Sequence, residues 1–304
     1  PLLCGQIKAV RTAVERIAPT ASRVLISGPN GSGKELAARC IHHQSDRRDS
    51  RFIVANCARL GAERADVELF GSDGVATSRR IVGLFEQAHK GTLYFDEVCD
   101  LPLETQGKIV RAVAEQRFRR VGGNKEVSVD VRVISASSRD LSAAIVEGRL
   151  REDLYYRLGV VPLSMPPLSE RREDIPHLAR HFVDLVARRT GLGKVKLGDE
   201  VLSAMQGYRW PGNVRQMLNT IENMLIMAPA DRSEPLGLDL LPAEIQNISP
   251  AAGNSDIDSL LALPLRNARE AFEKSYMTAQ LQRFDGNVSP VSYTHLRAHE
   301  TLHY

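Results

Sequence analysis

The sequence of 304 residues has few of the features that mark membrane-bound, disulfide-rich or strongly basic proteins. No apolar run reaches the length that crosses a bilayer, and no stretch reads as a signal peptide, so we expect a cytoplasmic protein without a membrane partner. The four cysteines have no C-x-x-C spacing, which predicts reduced thiols. A formal net charge of +3 is too small to indicate nucleic-acid binding by itself. Because the chain starts at Pro1 and not at a methionine, we interpret it as a fragment.

A glycine-rich loop is the most informative stretch that the sequence does contain. It lies between an apolar strand pattern at 24–27 and a helical pattern at 35–41, and its spacing is G-x-x-x-x-G-K. Glycines bring backbone amides close to phosphate oxygens, and the following helix and Lys34 add positive charge. A glycine-rich turn before a surface lysine is the alternative, which the flanking strand and helix disfavour. The predicted phosphate-binding residues are Gly28, Pro29, Asn30, Gly31, Ser32, Gly33, Lys34 and Glu35, the last in place of the usual magnesium-binding hydroxyl.

Two carboxylates, Asp96 and Glu97, follow an apolar stretch at 91–95 that predicts a buried strand. Carboxylates that end a strand are also common as solvated turn residues, but here they follow a phosphate loop. We expect Asp96 to lie near a magnesium ion, and Glu97 to act as the general base or to position a water molecule. The sequence therefore predicts the second half of a nucleotide site.

Apolar and amphipathic segments alternate in the first half of the chain, which predicts an α/β core with a parallel sheet. Both halves of the site lie at carboxyl ends of predicted strands, where such sheets bind ligands. The later pattern is helical at 177–190, 199–207 and 213–227. We therefore divide the chain into a core at 1–168, a small helical subdomain at 169–228, a linker at 229–264, a helical segment at 265–289 and a tail at 290–304.

These motifs, together with Arg151, Arg157 and the W-P-G-N-V-R turn at 210–215, resemble those of the bacterial enhancer-binding proteins of the AAA+ class. The narrower resemblance is to NtrX-type response regulators, and it extends from about residue 5 to about residue 289. It implies an AAA+ parallel-sheet core with a helical lid, a linker and a truncated DNA-binding segment. It also implies an ATP-binding transcription regulator of a two-component system in nitrogen or redox signalling, with ATP and Mg²⁺ as cofactors.

The resemblance also implies roles for individual residues. Lys34 would bind the β- and γ-phosphates, Asp96 the magnesium ion and Glu97 the attacking water. Asn56 would hold Glu97 until nucleotide is sensed, and Arg215 would contact the nucleotide from the lid. Arg151 and Arg157 would reach into the nucleotide site of a neighbouring subunit, so that ATP hydrolysis requires a hexamer or another ring. From the residues alone, the two arginines are interpreted as part of a solvated helix face, where arginines usually lie.

Two departures from the family pattern bear on activity. The loop G-A-F-T-G-A, with which the family contacts sigma-54, should follow Leu69-Phe70-Gly71, but residues 72–80 are shorter and lack it. This predicts a regulator that does not remodel sigma-54. At the position of the nucleotide sensor, commonly asparagine, the chain has Ser138, whose hydroxyl reaches less far than an amide and predicts slow hydrolysis.

The remaining expectations concern partners. The resemblance implies self-assembly, promoter DNA bound by an intact helix-turn-helix, a histidine kinase that acts through an absent receiver domain, and RNA polymerase. Residues 290–304 have no counterpart in the family and read as foreign sequence, so we do not interpret His295, His299 and His303 as a metal site. Two other hypotheses stay open, namely an active sigma-54-dependent ATPase and a scaffold that binds nucleotide without hydrolysing it.

Overall fold

A computed structural model describes residues 6–61, 64–74, 80–193, 195–228, 235–246 and Arg269. The chain divides into two compact units, residues 1–243 and 244–304, and the site lies in the first. The centre of the predicted sigma-54 loop at 75–79, most of the linker at 229–264, all but Arg269 of the predicted segment at 265–289, and the tail at 290–304 lie outside the described residues. Among the described residues, no helix has the length and apolar character needed to span a membrane.

A parallel sheet of five strands forms the centre of the first unit, as the alternating pattern predicts. The strands are β1 (Val24–Ser27), β2 (Phe52–Asn56), β3 (Thr92–Asp96), β6 (Arg132–Ser137) and β7 (Val161–Ser164), in the spatial order β2-β3-β6-β1-β7. The antiparallel pair β4 (Arg117–Arg119) and β5 (Glu126–Ser128) forms a separate hairpin. The carboxyl ends of β1, β3 and β6 therefore lie side by side.

The core has two layers because successive residues of a strand point to opposite faces of the sheet. Leu93 and Phe95 of β3 belong to one buried cluster, and Tyr94 between them belongs to the other. All three are fully buried, so β3 is a continuous apolar run, as expected for a parallel strand covered on both faces.

Helices cover both faces of the sheet. Within the first unit they are α1 (Gln6–Ile17), α2 (Lys34–His43), α3 (Ala65–Phe70), α4 (Leu84–Gln87), α5 (Leu103–Glu115), α6 (Leu141–Val146) and α7 (Glu152–Leu158), followed by α8 (Ile175–Thr190), α9 (Asp199–Gly207) and α10 (Asn213–Met227). A short helix, α11 (Ala243–Gln246), follows at the boundary between the units. The last three helices before that boundary form the helical region that the sequence predicts.

A buried tryptophan fixes the turn between α9 and α10. Trp210 is 1% exposed and donates a hydrogen bond from Nε1 to the carbonyl oxygen of Met205 at 2.8 Å. Its φ of 51° and that of Asn213, also 51°, place both in the left-handed region, which turns the chain sharply into α10. This turn carries Asn213 toward the glycine loop.

Candidate functional site

The glycine loop connects β1 to α2, as predicted, and its glycines are needed for two reasons. Gly31 and Gly33 have φ values of 75° and 105°, which other residues rarely adopt. Space is short as well, because a Cβ atom on Gly31 would lie 2.3 Å from the carbonyl oxygen of Gly212. On Gly28 it would lie 2.5 Å from the carbonyl oxygen of Met165. The loop is thus packed tightly between the core and the turn before α10.

Lys34 connects the loop to Glu97, which follows the end of β3. Its Nζ donates to the carbonyl oxygen of Gly28 at 2.9 Å and lies 3.1 Å from Oε1 of Glu97. The lysine side chain is 6% exposed and the glutamate side chain 17% exposed. An ion pair with this little solvent is screened less than one on the surface. The two halves of the predicted site are therefore one cluster.

Glu97 is held on its other side by Ser138. Oε2 of Glu97 accepts hydrogen bonds from the backbone N–H and from the hydroxyl of Ser138, each at 2.8 Å. The contact arises because β3 and β6 are neighbours and each residue follows the end of its strand. Glu97 has a φ of 56°, so its backbone is in the left-handed region where the strand ends.

Asp96 lies beside this cluster. The Tyr94 hydroxyl donates a hydrogen bond to its Oδ1 at 3.1 Å. Burial raises the pKa of the Asp96 carboxyl, and burial likewise raises the pKa of the Tyr94 hydroxyl. No cluster of three metal-ligating side chains occurs in the described part of the chain. This is compatible with Mg²⁺, which commonly takes one or two carboxylates together with substrate phosphates.

Asn56 and Glu35 lie near the cluster but make other contacts. Asn56 is the register partner of Asp96 in the β2–β3 pair, and among the described contacts it makes no hydrogen bond to Glu97. Glu35 lies in the first turn of α2 and accepts from Arg39, with Nη2 to Oε1 at 2.7 Å. Their implied roles stay predictions.

Arg151 and Arg157 are exposed and lie on or beside α7. Arg151 forms an ion pair with Asp153 at 2.8 Å, and its backbone N–H donates to Oε1 of Gln106 at 2.9 Å. Burial, followed by the charge of Arg157, lowers the pKa of Arg23. Within the described contacts of this chain, neither arginine bonds to residues 28–34.

Sequence reasoning missed a set of lid donors that contact the glycine loop. Arg171 donates from Nη2 to the carbonyl oxygen of Ser32 at 2.8 Å, and Asn213 donates from Nδ2 to that of Asn30, also at 2.8 Å. The backbone N–H of Val214 donates to the carbonyl oxygen of Gly31 at 3.1 Å. Arg171 stands in a run of charged residues that reads as a solvated stretch. The W-P-G-N-V-R turn draws attention to Asn213 in the sequence. It does not indicate that the side chain bonds to the glycine loop.

Comparison with known proteins shows the family. The model described as the Sigma-54 interaction domain matches residues 4–164. The chain belongs to this family. A second model, the AAA+ ATPase lid domain, matches residues 169–258 of this Sigma-54 interaction domain protein. These matches confirm the resemblance to the enhancer-binding proteins and the predicted AAA+ α/β fold.

Three relatives place this Sigma-54 interaction domain protein more narrowly. The nitrogen assimilation regulatory protein NtrX of Azorhizobium caulinodans is 46% identical over 284 residues, which cover 93% of this chain and 63% of that protein. The response regulator protein PilR of Pseudomonas aeruginosa is 42% identical over 257 residues, which cover 84% of this chain and 58% of PilR. The crystal structure of NtrX from Brucella abortus in complex with ATP is 44% identical with a TM-score of 0.75, and the match covers 96% of this chain and 65% of that one. The NtrX-type resemblance is confirmed, and the chain spans less than two thirds of these relatives.

Proposed function

We propose that this chain is the ATP-binding and ATP-hydrolysing AAA+ module of an NtrX-type transcription regulator. The observation that carries the proposal is the contact of Lys34 with Glu97, which brings a phosphate loop and a catalytic carboxylate together at neighbouring strand ends. The ATP complex of the Brucella abortus relative supports ATP as the nucleotide. The reaction is hydrolysis of ATP to ADP and phosphate.

The charge of each site residue determines its role in the proposed reaction. Backbone amides of the glycine loop and the ammonium of Lys34 bind the phosphates, and Asp96 would hold a magnesium ion, which would supply positive charge to neutralise them. Glu97 accepts the proton of the attacking water. Since Glu97 is bonded to Lys34 and Ser138 in the described structure, it must leave both to reach that water. The γ-phosphate favours this step because it competes with Glu97 for Lys34.

Arg151 and Arg157 complete the site from a neighbouring subunit in this proposal. Both side chains are exposed, and no described contact in this chain directs them to its own loop. An arginine from a neighbour that stabilises the transferred phosphoryl group makes hydrolysis depend on assembly. We therefore propose a nucleotide-dependent ring, a hexamer in the simplest case. The Cβ atom of Arg215 lies 3.1 Å from the position that a Cβ atom on Gly31 would occupy, so Arg215 is next to the glycine loop. In this proposal it contacts the nucleotide of its own chain.

The shortened loop at 72–80 supports a regulator that does not remodel sigma-54. The longer protein would then act through promoter DNA and RNA polymerase, under a histidine kinase. The description of the matching family favours a second candidate, an active sigma-54-dependent ATPase. An open-complex assay with the longer protein and sigma-54 RNA polymerase separates the two.

The contact of Ser138 with Glu97 favours a third candidate function, a scaffold that binds nucleotide without hydrolysing it.

The first experiment on the proposal is ATP binding by the Lys34→Ala and Lys34→Met variants. We expect both to lose ATP affinity by about a hundredfold or more, since hydrogen bonds to charged groups are each worth about 1.5–3 kcal/mol and the lysine contacts two phosphates. Lys108→Ala is the matched control, because Lys108 lies on the exposed surface of α5 and pairs with Glu104. Unchanged ATP affinity in both Lys34 variants, with folding intact by circular dichroism, would overturn the proposal.

A further inference from the structure

Three consecutive carbonyl groups of the glycine loop are bonded by donors from the lid. The carbonyl oxygens of Asn30, Gly31 and Ser32 accept, in that order, from the side chain of Asn213, the backbone of Val214 and the side chain of Arg171. These donors come from two separate lid segments, the start of α10 and the turn before α8. We call this set of three hydrogen bonds the lid clamp.

The lid clamp fixes the direction of three amides. A peptide unit is planar and trans, so its N–H points away from its C=O. The described residues contain no cis peptide bond. Carbonyls directed at the lid therefore direct the N–H groups of Gly31 and Gly33 to the opposite side of the loop, while the N–H of Ser32 donates to the carbonyl oxygen of Pro29 at 3.2 Å. Amides at these positions of a G-x-x-x-x-G-K loop are the ones that surround the phosphates.

The two side chains of the lid clamp are buried, so the hydrogen bonds that they donate are not easily replaced by water. Asn213 is 2% exposed and Arg171 is 6% exposed, so water does not replace either donor when it is removed. A buried carbonyl without a partner costs free energy, and the loop would rotate its peptides to recover hydrogen bonds. Asn213 also accepts from the backbone N–H of Leu168 at 2.7 Å, which connects the loop to the segment that links core and lid.

We propose that Arg171 and Asn213 are positioning residues of the nucleotide site, which hold the loop amides in the orientation that binds a diphosphate group. The inference rests on the proposed function of the loop. It predicts that lid docking and nucleotide binding stabilise each other, because each favours the same loop conformation. The lid clamp orients the amides of the glycine loop, and it does not orient a group that would contact only the γ-phosphate. ATP, ADP and inorganic pyrophosphate should therefore depend on it to the same extent.

The test measures dissociation constants of ATP, ADP and pyrophosphate for the full chain and five variants. We expect Asn213→Ala and Arg171→Met to weaken all three ligands by a common factor of about ten, equal to about 1.4 kcal/mol, because each variant removes one buried hydrogen bond to a loop carbonyl. Arg171→Lys, which keeps a cation and a donor, should recover part of the affinity. Arg172→Met and Asn223→Ala are controls, because these side chains are exposed and bond to no loop carbonyl in the described structure.

Amide hydrogen exchange of residues 30–34, compared with that of the buried strand β6 in the same variant, separates a local change in the loop from a general loss of stability. Nucleotide should slow this exchange in the wild-type chain and in the controls, and slow it less in the clamp variants at saturating ligand. Full protection together with wild-type dissociation constants in Asn213→Ala and Arg171→Met would overturn the inference, whatever the melting temperatures. Absence of nucleotide binding by the wild-type chain would instead overturn the proposed function.

Discussion

Nζ of Lys34 lies 3.1 Å from Oε1 of Glu97, so the proposed phosphate-binding cation and the proposed general base neutralise each other in the described structure. The same carboxylate accepts two hydrogen bonds from Ser138. Glu97 is therefore bonded on both sides, and in the proposed mechanism it leaves these groups to reach a water molecule. In the proposed mechanism ATP replaces Glu97 at Lys34 but not at Ser138, so the contact with Ser138 is the one that remains to be broken before hydrolysis.

Replacement of Ser138 should accelerate hydrolysis. Ser138→Ala removes the hydroxyl donor and keeps the backbone donor, so Glu97 is released more easily. We expect turnover at saturating ATP to rise about fivefold, which corresponds to about 1 kcal/mol for one hydrogen bond. Steady-state phosphate release measures it, with Ser203→Ala as the exposed control. Lower turnover at unchanged ATP affinity would mean that Ser138 serves the reaction and does not restrain Glu97.

The two exposed arginines should act between subunits. Arg151→Ala and Arg157→Ala should each keep ATP affinity and lower turnover by about a thousandfold, the usual effect of removing an arginine finger. Mixing either variant with Lys34→Ala should restore activity, since one subunit supplies the nucleotide and its neighbour the arginine. Arg149→Ala is the control, because Arg149 is exposed and pairs with Glu147 at 3.1 Å. No recovery in any mixture would contradict a role between subunits.

Stability of the lid turn should depend on Trp210. Trp210→Ala removes a fully buried aromatic side chain and should lower the free energy of unfolding by about 3–5 kcal/mol. Trp210→Phe keeps most of the apolar volume and loses the hydrogen bond from Nε1 to Met205. We expect this variant to lower the free energy of unfolding by about 1 kcal/mol for the hydrogen bond, and further because the smaller ring leaves a cavity. Urea unfolding followed by circular dichroism measures both. Equal losses in the two variants would show that packing does not determine the stability of this turn.

The sequence predicted the sheet and the long helices because their periodicity is strong. Helices α9 and α10 have the predicted bounds, and the fully buried β3 and β6 appear in the sequence as apolar runs. Short elements gave weaker patterns. Helices α3 and α6 have only six residues each, and the main local signal of α6 is Asp140, which caps it by accepting from the backbone N–H of Ala143 at 2.9 Å.

The site was predicted in part, for a physical reason. Lys34 and Glu97 belong to motifs whose residue types reveal their chemistry, and strand order brings them together. The lid clamp depends on contacts between segments far apart in the chain, such as Arg171 with Ser32. Its acceptors are backbone carbonyls, which have no signature in the sequence. An arginine in a charged run gives no sign that the fold will bury it.

The central claim, a ring ATPase, is tested most directly by steady-state phosphate release from the full chain with Mg²⁺ and ATP, measured over a range of protein concentrations. Glu97→Gln, which keeps the shape and removes the base, is the control. We predict that turnover per subunit rises with concentration and vanishes in the control and on chelation of Mg²⁺. ATP binding without phosphate release above the Glu97→Gln control, at every concentration, would contradict the account and support a nucleotide-binding scaffold.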